Sequence, residues 1–350
     1  MRAPTSTPTE TGDTPNPSWP RARRFFRPSL WPLYQQIIGR SDLPILVGPW
    51  RSEIGFESLY WLPFLAKLRH DWKIPAERLI PISRGGAGVW YETPQSLDLY
   101  DLRTPQELRV ATRIEAQRTG SIKQTHVTAF DRQILRDAAE TLKLGTHLVL
   151  HPAWMYQTLA PFWNAGRGLG WLQQHARFTN IAPLNIDGVT LPERFVAVRF
   201  YFRTTFKASA TATEFAKHTI RTIAKSQPVI ILDNGGLFLD DHLDYVPKDE
   251  PNVQVLSKMV GMTPANNVAI QSAVLSKALG FVGTYGGMAQ LALRFGKPSV
   301  SVYDDWQGTA LPHKHLSEAV ALQSGIPFHV VRIGDIPLLQ SVLPHVVAQG

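Results

Sequence analysis

The chain has no cysteine, which excludes a disulfide framework, a thiolate metal site and a cysteine nucleophile. It has no apolar run near the roughly 20 residues needed to span a bilayer. Its first residues, MRAPTSTPTETGDTPNPSWP, lack the apolar stretch of a secretory signal, so a cytoplasmic protein is expected. No D-x-D triplet follows an apolar run, so metal-held diphosphate chemistry has no motif to stand on. Positive charge in the body is also sparse. Arg2, Arg21, Arg23, Arg24, Arg27 and Arg40 against Glu10 and Asp13 carry half of the net charge of +8 within the first 40 residues. What remains is spread thinly, without the basic aromatic strip of a single-strand binder, so nucleic acid is not an expected partner.

What is present is apolar material for two cores. Hydrophobic residues make up 44% of 350, a length that suits two domains. Residues 1–40 read as a disordered basic and aromatic arm, whose segment RARRFFRPSLWPLYQQIIGR suits an anionic membrane surface or packs its Trp31–Ile38 part on the first domain. From residue 44 apolar strand-like runs alternate with helical spacing. The strands are Ile45–Val47, Leu79–Ser83 and His147–Leu150, then Phe195–Tyr201, Val229–Leu232, Ser299–Tyr303 and Phe328–Val331. Helices are expected at Glu57–Arg69, Arg132–Leu142, Glu214–Ala224, Asn267–Lys277 and Ile336–Val347. Between the two series, IAPLNIDGVTLPER (181–194) loses periodicity and carries Pro183, Gly188 and Pro192. The pattern predicts an α/β fold of two doubly wound, Rossmann-like domains, 41–185 and 186–350, facing a cleft.

In such sheets ligands bind beyond the carboxyl ends of the strands. The turn Gly283-Thr284-Tyr285-Gly286-Gly287 lies between the run Ala278–Val282 and a helix resuming at Met288, a position where unpaired N–H groups favour an anion. It also fits an ordinary structural turn. No Lys-Ser or Lys-Thr pair follows it, and its spacing does not fit the dinucleotide fingerprint.

Asn266–Ala273 leading into Phe281–Gly287, and then Gly296-Lys297-Pro298, resembles the donor half of bacterial glycosyltransferases of GT-B architecture. Gly48-Pro49-Trp50-Arg51-Ser52-Glu53-Ile54-Gly55-Phe56-Glu57, with Ser83-Arg84-Gly85-Gly86 after it, looks like the companion half. The pattern departs from many retaining members, because Gly287–Phe295 contains no acid. The resemblance implies a nucleotide-sugar donor on the second domain, a hydroxyl acceptor on the first, no metal and no cofactor beyond the donor itself. It implies a role in glycan or cell-envelope polysaccharide assembly, acting in the cytoplasm or peripherally on the inner face of the membrane.

Glycosyl transfer without a metal needs Arg, Lys or backbone N–H groups on the departing diphosphate. Arg199 and Arg203 are the candidates, sharing one face of a strand if it persists, with the Gly283–Gly287 amides and the Thr284 hydroxyl beside them. Tyr285 either stacks on the base or closes the turn. Asn267 and Gln271, one helical turn apart, are placed to read base or ribose, although an asparagine there also caps a helix. For the base that takes the acceptor proton the candidates are Glu53, then Glu57, then His151. Arg51 and Arg84 are candidates for an acidic acceptor or the phosphates. The alternatives are a sugar-nucleotide epimerase of the same architecture and a non-catalytic anionic-ligand or nucleic-acid binding protein.

Overall fold

The computed structural model describes residues 28–120, 123–164, 166–185, 188–203, 205–237, 242–304 and 310–347. Two parallel sheets organise them. The first contains β1 (Ile45–Val47), β2 (Leu79–Ser83), β3 (Leu97–Asp98) and β4 (Leu148–Leu150), in the order β3-β2-β1-β4. Ile45 stands opposite Leu79 on one side and Leu148 on the other. The second sheet contains β5 (Val196–Arg199), β7 (Val229–Ile231), β9 (Val253–Val255), β10 (Phe281–Thr284), β11 (Ser299–Tyr303) and β12 (Phe328–Arg332). Its order is β12-β11-β10-β5-β7-β9, so the chain starts in the middle, winds one way to β9, returns and winds the other way. That is the doubly wound order, with its reversal between β5 and β10. The first sheet reverses likewise between β1 and β4. A small antiparallel pair, β6 (Tyr201–Phe202) with β8 (Leu243–Asp244), lies beyond the carboxyl end of β5.

Helices of seven residues or more are numbered here. They are α1 (Trp31–Arg40), α2, α3 (Pro105–Thr119), α4 (Ala129–Thr141), α5 (Ala153–Asn164), α6 (Ala210–Ala224), α7 (Asn267–Lys277), α8 (Gly287–Arg294), α9 (Ala310–Ser324) and α10 (Ile336–Val342). The helix α2 is continuous over three pieces: Ile54–Phe56, a π-helical turn at Glu57–Trp61, and Leu62–Trp72. It starts three residues before the expected Glu57. The sequence pattern missed α3 because it buries only Leu108 and Glu115 and so has no apolar stripe. Its ends are nonetheless marked, by a capping box between Thr104 and Glu107 and by Gly120 in the left-handed conformation.

The arm expected to be disordered through residue 40 is corrected for residues 28–40. Trp31 and Ile38 are buried, and the Trp31 ring stacks on Phe64 at 5.3 Å and meets Trp154 at 4.9 Å. Buried Trp31 and Ile38, partly buried Leu30 and Tyr34, the Tyr34 hydroxyl bond to the Val149 carbonyl and the helix's own hydrogen bonds together hold a segment that no sequence period had marked. Residues 1–27, including Arg21, Arg23, Arg24, Phe25 and Phe26, lie outside the described residues. Among the described residues no helix is long and apolar enough to cross a membrane.

One core runs through both domains, with Trp61 and Phe64 of the first and Met288 and Leu291 of the second in the same buried cluster. Arg294, buried at the end of α8, donates to the Ser58 carbonyl at 2.6 Å and, twice, to the Thr179 carbonyl at 2.6 and 3.1 Å. Trp90 Nε1 donates to Ser272 Oγ at 3.0 Å. The two domains therefore meet in direct contact.

Candidate functional site

The two points of chain reversal face each other, and charged side chains converge there. After β1 the chain leaves as Gly48-Pro49-Trp50-Arg51-Ser52 and reaches Glu53 in an extended conformation (φ −68°, ψ 146°) just before α2. Glu53 occupies the N-cap position, yet its side chain makes no capping hydrogen bond and turns instead toward the second domain. Its Oε1 lies 3.4 Å from Arg203 Nη1, just past β6, and its Oε2 lies 3.0 Å from Lys123 Nζ, in the loop between α3 and α4. Lys123 also stands 3.3 Å above the Phe56 ring, a cation–π contact. Glu53 and Arg203 are each about one-third exposed, at 36% and 31%, so the pair is reachable from solvent.

Two histidines complete the group. Arg203 Nη1 donates to His242 Nε2 at 3.1 Å, and the His242 ring packs on Tyr201 at 4.5 Å. His313, from α9, shares a 2.6 Å hydrogen bond with the Tyr60 hydroxyl through Nδ1 and meets Phe56 edge-on at 4.7 Å. Burial, and then the Lys123 cation, push the His313 imidazole down to about 4, so it is neutral at pH 7. Burial would raise the Glu53 carboxyl, but the Lys123 cation and then Arg203 outweigh it and hold it below its ordinary value. Burial lowers the Lys123 ammonium in turn, against the pull of Glu53. One carboxylate thus stands between two cations in a partly dry niche. An incoming anion has two cations to take from it.

Sequence reasoning named Glu53 and Arg203, and the structure brings them together from opposite domains. It had no signal for Lys123, His242 or His313. Lys123 sits in a polar loop, and its partner is 70 residues away. Several other expectations are corrected. Glu57 does not face the site: it is 1% exposed, inside the π-helical turn, and its Oε1 accepts from Ser83 Oγ at 2.5 Å and Tyr91 OH at 2.6 Å. Burial raises its carboxyl to about 7 against those bonds. His151 is fully buried, accepting from the Ala153 amide at Nδ1 with Nε2 3.5 Å from Asp131. Arg51 is buried too, its charge met by Asp131 and Glu115 at 2.7 Å each, so it offers nothing to an acceptor or phosphate. Arg84 is half-buried, near enough to Glu57 and Asp98 to act on their charges.

The second-domain residues are also largely committed inward. Arg199 makes two hydrogen bonds to Asp244, at 3.0 and 3.3 Å, and a third to Gln271 Oε1 at 3.0 Å. Gln271 Nε2 continues the chain to Asn234 Oδ1 at 3.1 Å. Asn267, also buried, donates to the Pro264 carbonyl at 2.7 Å. A buried arginine must be paired, and β8 supplies Asp244 across the end of β5. Neither Arg199, Asn267 nor Gln271 is presented to a donor.

The glycine turn is closely packed. Gly283 and Thr284 belong to β10, and the Thr284 hydroxyl is spent on Tyr201, accepting from its amide and donating to its carbonyl at 3.0 Å each. Tyr285 is 5% exposed and its amide donates to the Val302 carbonyl. A Cβ on Gly286 would stand 1.9 Å from Tyr201 Oη, and one on Gly287 2.9 Å from the Gly55 amide. These glycines exist for close packing, and α2 covers the start of α8. The companion turn does the same to α7: the Gly85 carbonyl accepts from the Val268 and Ala269 amides at 2.8 and 2.9 Å. Those carbonyl contacts satisfy amides that would otherwise favour an anion.

The aromatic stretch Trp154–Trp163 is core: Trp154 meets Trp31 and Tyr34, and Tyr156 stacks on Trp50. Among the described residues no group of three or more histidines and carboxylates is arranged to hold a metal ion.

No protein-family model matches the chain, and no curated protein sequence matches it. Among the solved structures to which it is similar at low identity are three glycosyltransferases. A glycosyl transferase family 9 protein from Veillonella parvula is 10% identical over 89% of this chain and 98% of its own, with a TM-score of 0.42. The heptosyltransferase WaaC of E. coli, solved with ADP, is 15% identical over 81% of this chain and 99% of its own (TM-score 0.37). SnogD, a glycosyltransferase from Streptomyces nogalater, is 14% identical over 87% and 90% (TM-score 0.40). The chain is similar to solved glycosyltransferases, and its two parallel sheets have the arrangement that the sequence resemblance to GT-B architecture implies.

Proposed function

We propose that the protein transfers a sugar from a nucleotide-sugar donor to a hydroxyl acceptor at the Glu53, Lys123 and Arg203 group. The observation that carries the reading is the meeting of these three, from both domains, where the two doubly wound sheets reverse. A departing diphosphate needs charge-assisted hydrogen bonds, and Lys123 and Arg203 supply them with no metal called for by the chemistry. The ligand-free arrangement also suggests how the base is armed. Glu53 is held below its ordinary value by the two cations. When a diphosphate takes those cations, burial alone acts on the carboxyl and raises it, which improves it as a base toward an acceptor hydroxyl. His313, neutral beside Phe56, lines the same niche.

The acceptor in this reading is a glycan, lipid-linked or other hydroxyl in polysaccharide or cell-envelope assembly. Action at the cytoplasmic face of a membrane is supported by α1, where Leu33 and Ile37 are exposed at 50% and 39%, one turn apart, with exposed Arg40 near them. Thermal shift with UDP, GDP, ADP, CMP and dTDP sugars tests the donor. A ligand at 100 times its Kd stabilises by about 2.7 kcal/mol, and Arg203→Ala and Lys123→Ala should each abolish the shift. Glu53→Gln should keep the shift and lower turnover by about 100- to 10,000-fold, with EDTA leaving turnover unchanged. If no nucleotide sugar stabilises the wild type at adequate concentration, the reading is wrong.

A further inference from the structure

At the opposite end of α2 from Glu53 lies a second cationic feature. A depression of about 270 Å³ is lined by Arg69, His70 and Lys73, from the end of α2 and its cap, and by Arg177, over Ala66 and Ile74. No carboxylate lines it. The neighbouring acid, Asp71, is occupied by Lys67 Nζ at 2.7 and 2.8 Å and by His70 Nδ1 at 3.2 Å.

Basic residues in the last turn of a helix are favoured by its dipole, which accounts for Arg69 and His70. It does not account for Arg177. That residue comes from the irregular segment after α5 and is held against α2 by its amide donating to the Pro63 carbonyl at 2.8 Å. Nor does it account for Arg69 Nε, which is buried without a hydrogen-bond partner while Nη1 reaches only the Tyr91 carbonyl at 3.5 Å. A buried guanidinium donor without an acceptor is costly, and an anion that draws the Arg69 guanidinium outward into the depression would satisfy it.

We propose that this depression binds a phosphate group. The exposed Lys73 and Arg177 close on the anion from two sides, and Arg69, in the wall of the depression, turns its planar fork to it. The site is distinct from the transfer centre. Ile54 to Trp72 along one helix at 1.5 Å per residue separates it from Glu53 by about 28 Å, so a phosphate here is not the reacting diphosphate. Its source is either a free phosphate ester or a phospholipid headgroup. The end of α1 adjoins it, since Gly39 packs against the Trp72 ring, and that brings exposed Arg40 to the same end of the molecule.

The test uses the full chain and a double variant, Lys73→Asn with Arg177→Gln. Both positions are exposed, and asparagine tolerates the left-handed φ of 51° at Lys73, so the fold is kept. A matched melting temperature for the two proteins checks this. Equilibrium dialysis against radiolabelled inorganic phosphate forms one arm. Co-sedimentation with vesicles of phosphatidylcholine containing 30% phosphatidylglycerol, against phosphatidylcholine alone, forms the other. Saturable phosphate uptake by the wild type that weakens tenfold or more in the variant assigns a free-phosphate site. Sedimentation with the anionic vesicles alone, lost in the variant, assigns a headgroup site. The proposal is overturned if the wild type binds neither, or if the variant binds as the wild type does. Arg69→Gln gives a second reading, with the same loss expected. Donor binding at Arg203 is unaffected by any of these results.

Discussion

Replacing Glu57 with glutamine should change how stability depends on pH. The carboxyl is buried, bonded at Oε1 by Ser83 and Tyr91, and has no partner at Oε2. Burial raises it from 4.5 to about 7, so the folded state keeps a proton that the unfolded chain releases above pH 4.5. Between those values the unfolded state binds fewer protons, and stability therefore falls as pH rises, levelling off above about 7. At about 1.4 kcal/mol per pH unit the group removes about 3 kcal/mol across that window. Glutamine cannot ionise, so the variant lacks this loss. Its NH2 replaces Oε2 where no acceptor waits, a pH-independent cost of about 1–3 kcal/mol. The diagnostic is therefore the difference between the two proteins and not its absolute value. Urea unfolding followed by tryptophan fluorescence at pH 5, 6, 7 and 8 should show that difference moving by about 2.5 kcal/mol in favour of the variant. Asp98, raised to about 7 chiefly by burial, titrates with the same sign in both proteins and largely cancels. Parallel curves for wild type and variant across the whole range would refute the reasoning.

Three further outcomes follow from the packing. Gly283→Ala would put a Cβ 2.0 Å from the Arg199 carbonyl oxygen, forcing β5 and β10 apart, and should cost about 3 kcal/mol or more in a urea melt. Arg294→Met orphans the Ser58 and Thr179 carbonyls that tie the domains together; a loss of about 2–4 kcal/mol is expected by the same measurement, and an unchanged midpoint would count against the bridge. Asp131→Asn removes one of the two carboxylates on the buried Arg51 and leaves Glu115, and should cost about 1–3 kcal/mol at pH 7. Burial would raise Asp131, but Arg51 and then His151 hold it well below the usual carboxylate range. Its contribution is thus present above about pH 3.8 and lost on acidification below that, so wild type and variant should converge in acid unfolding curves.

The strands were legible because parallel strands covered on both faces read as short continuous apolar runs, as Ile45–Val47 and Val229–Ile231 do. The helix α5 was not read as a helix, because its aromatic residues pack around most of its circumference and leave no stripe. At the site, position relative to a strand's carboxyl end was sufficient to single out Glu53 and Arg203. The same rule also selected Arg51, Arg199 and His151. All three stand near strand ends, yet each is turned inward to a partner such as Asp131 or Asp244 that is distant in sequence.

The sequence by itself determined the alternation of strand and helix, the two-domain α/β class and the glycine positions where backbones pass closely, because each is local in propensity or spacing. Only the tertiary structure decided what those glycines serve. The Gly283–Gly287 turn and the Gly85–Gly86 turn have the composition of anion cradles, and domain contact instead covers the start of one helix with Gly55 and supplies a Gly85 carbonyl to the amides of another. The tertiary fold likewise brought Lys123 and Arg203, both partly buried, onto Glu53. An ion pair is set by distances in space, which spacing along the chain does not encode.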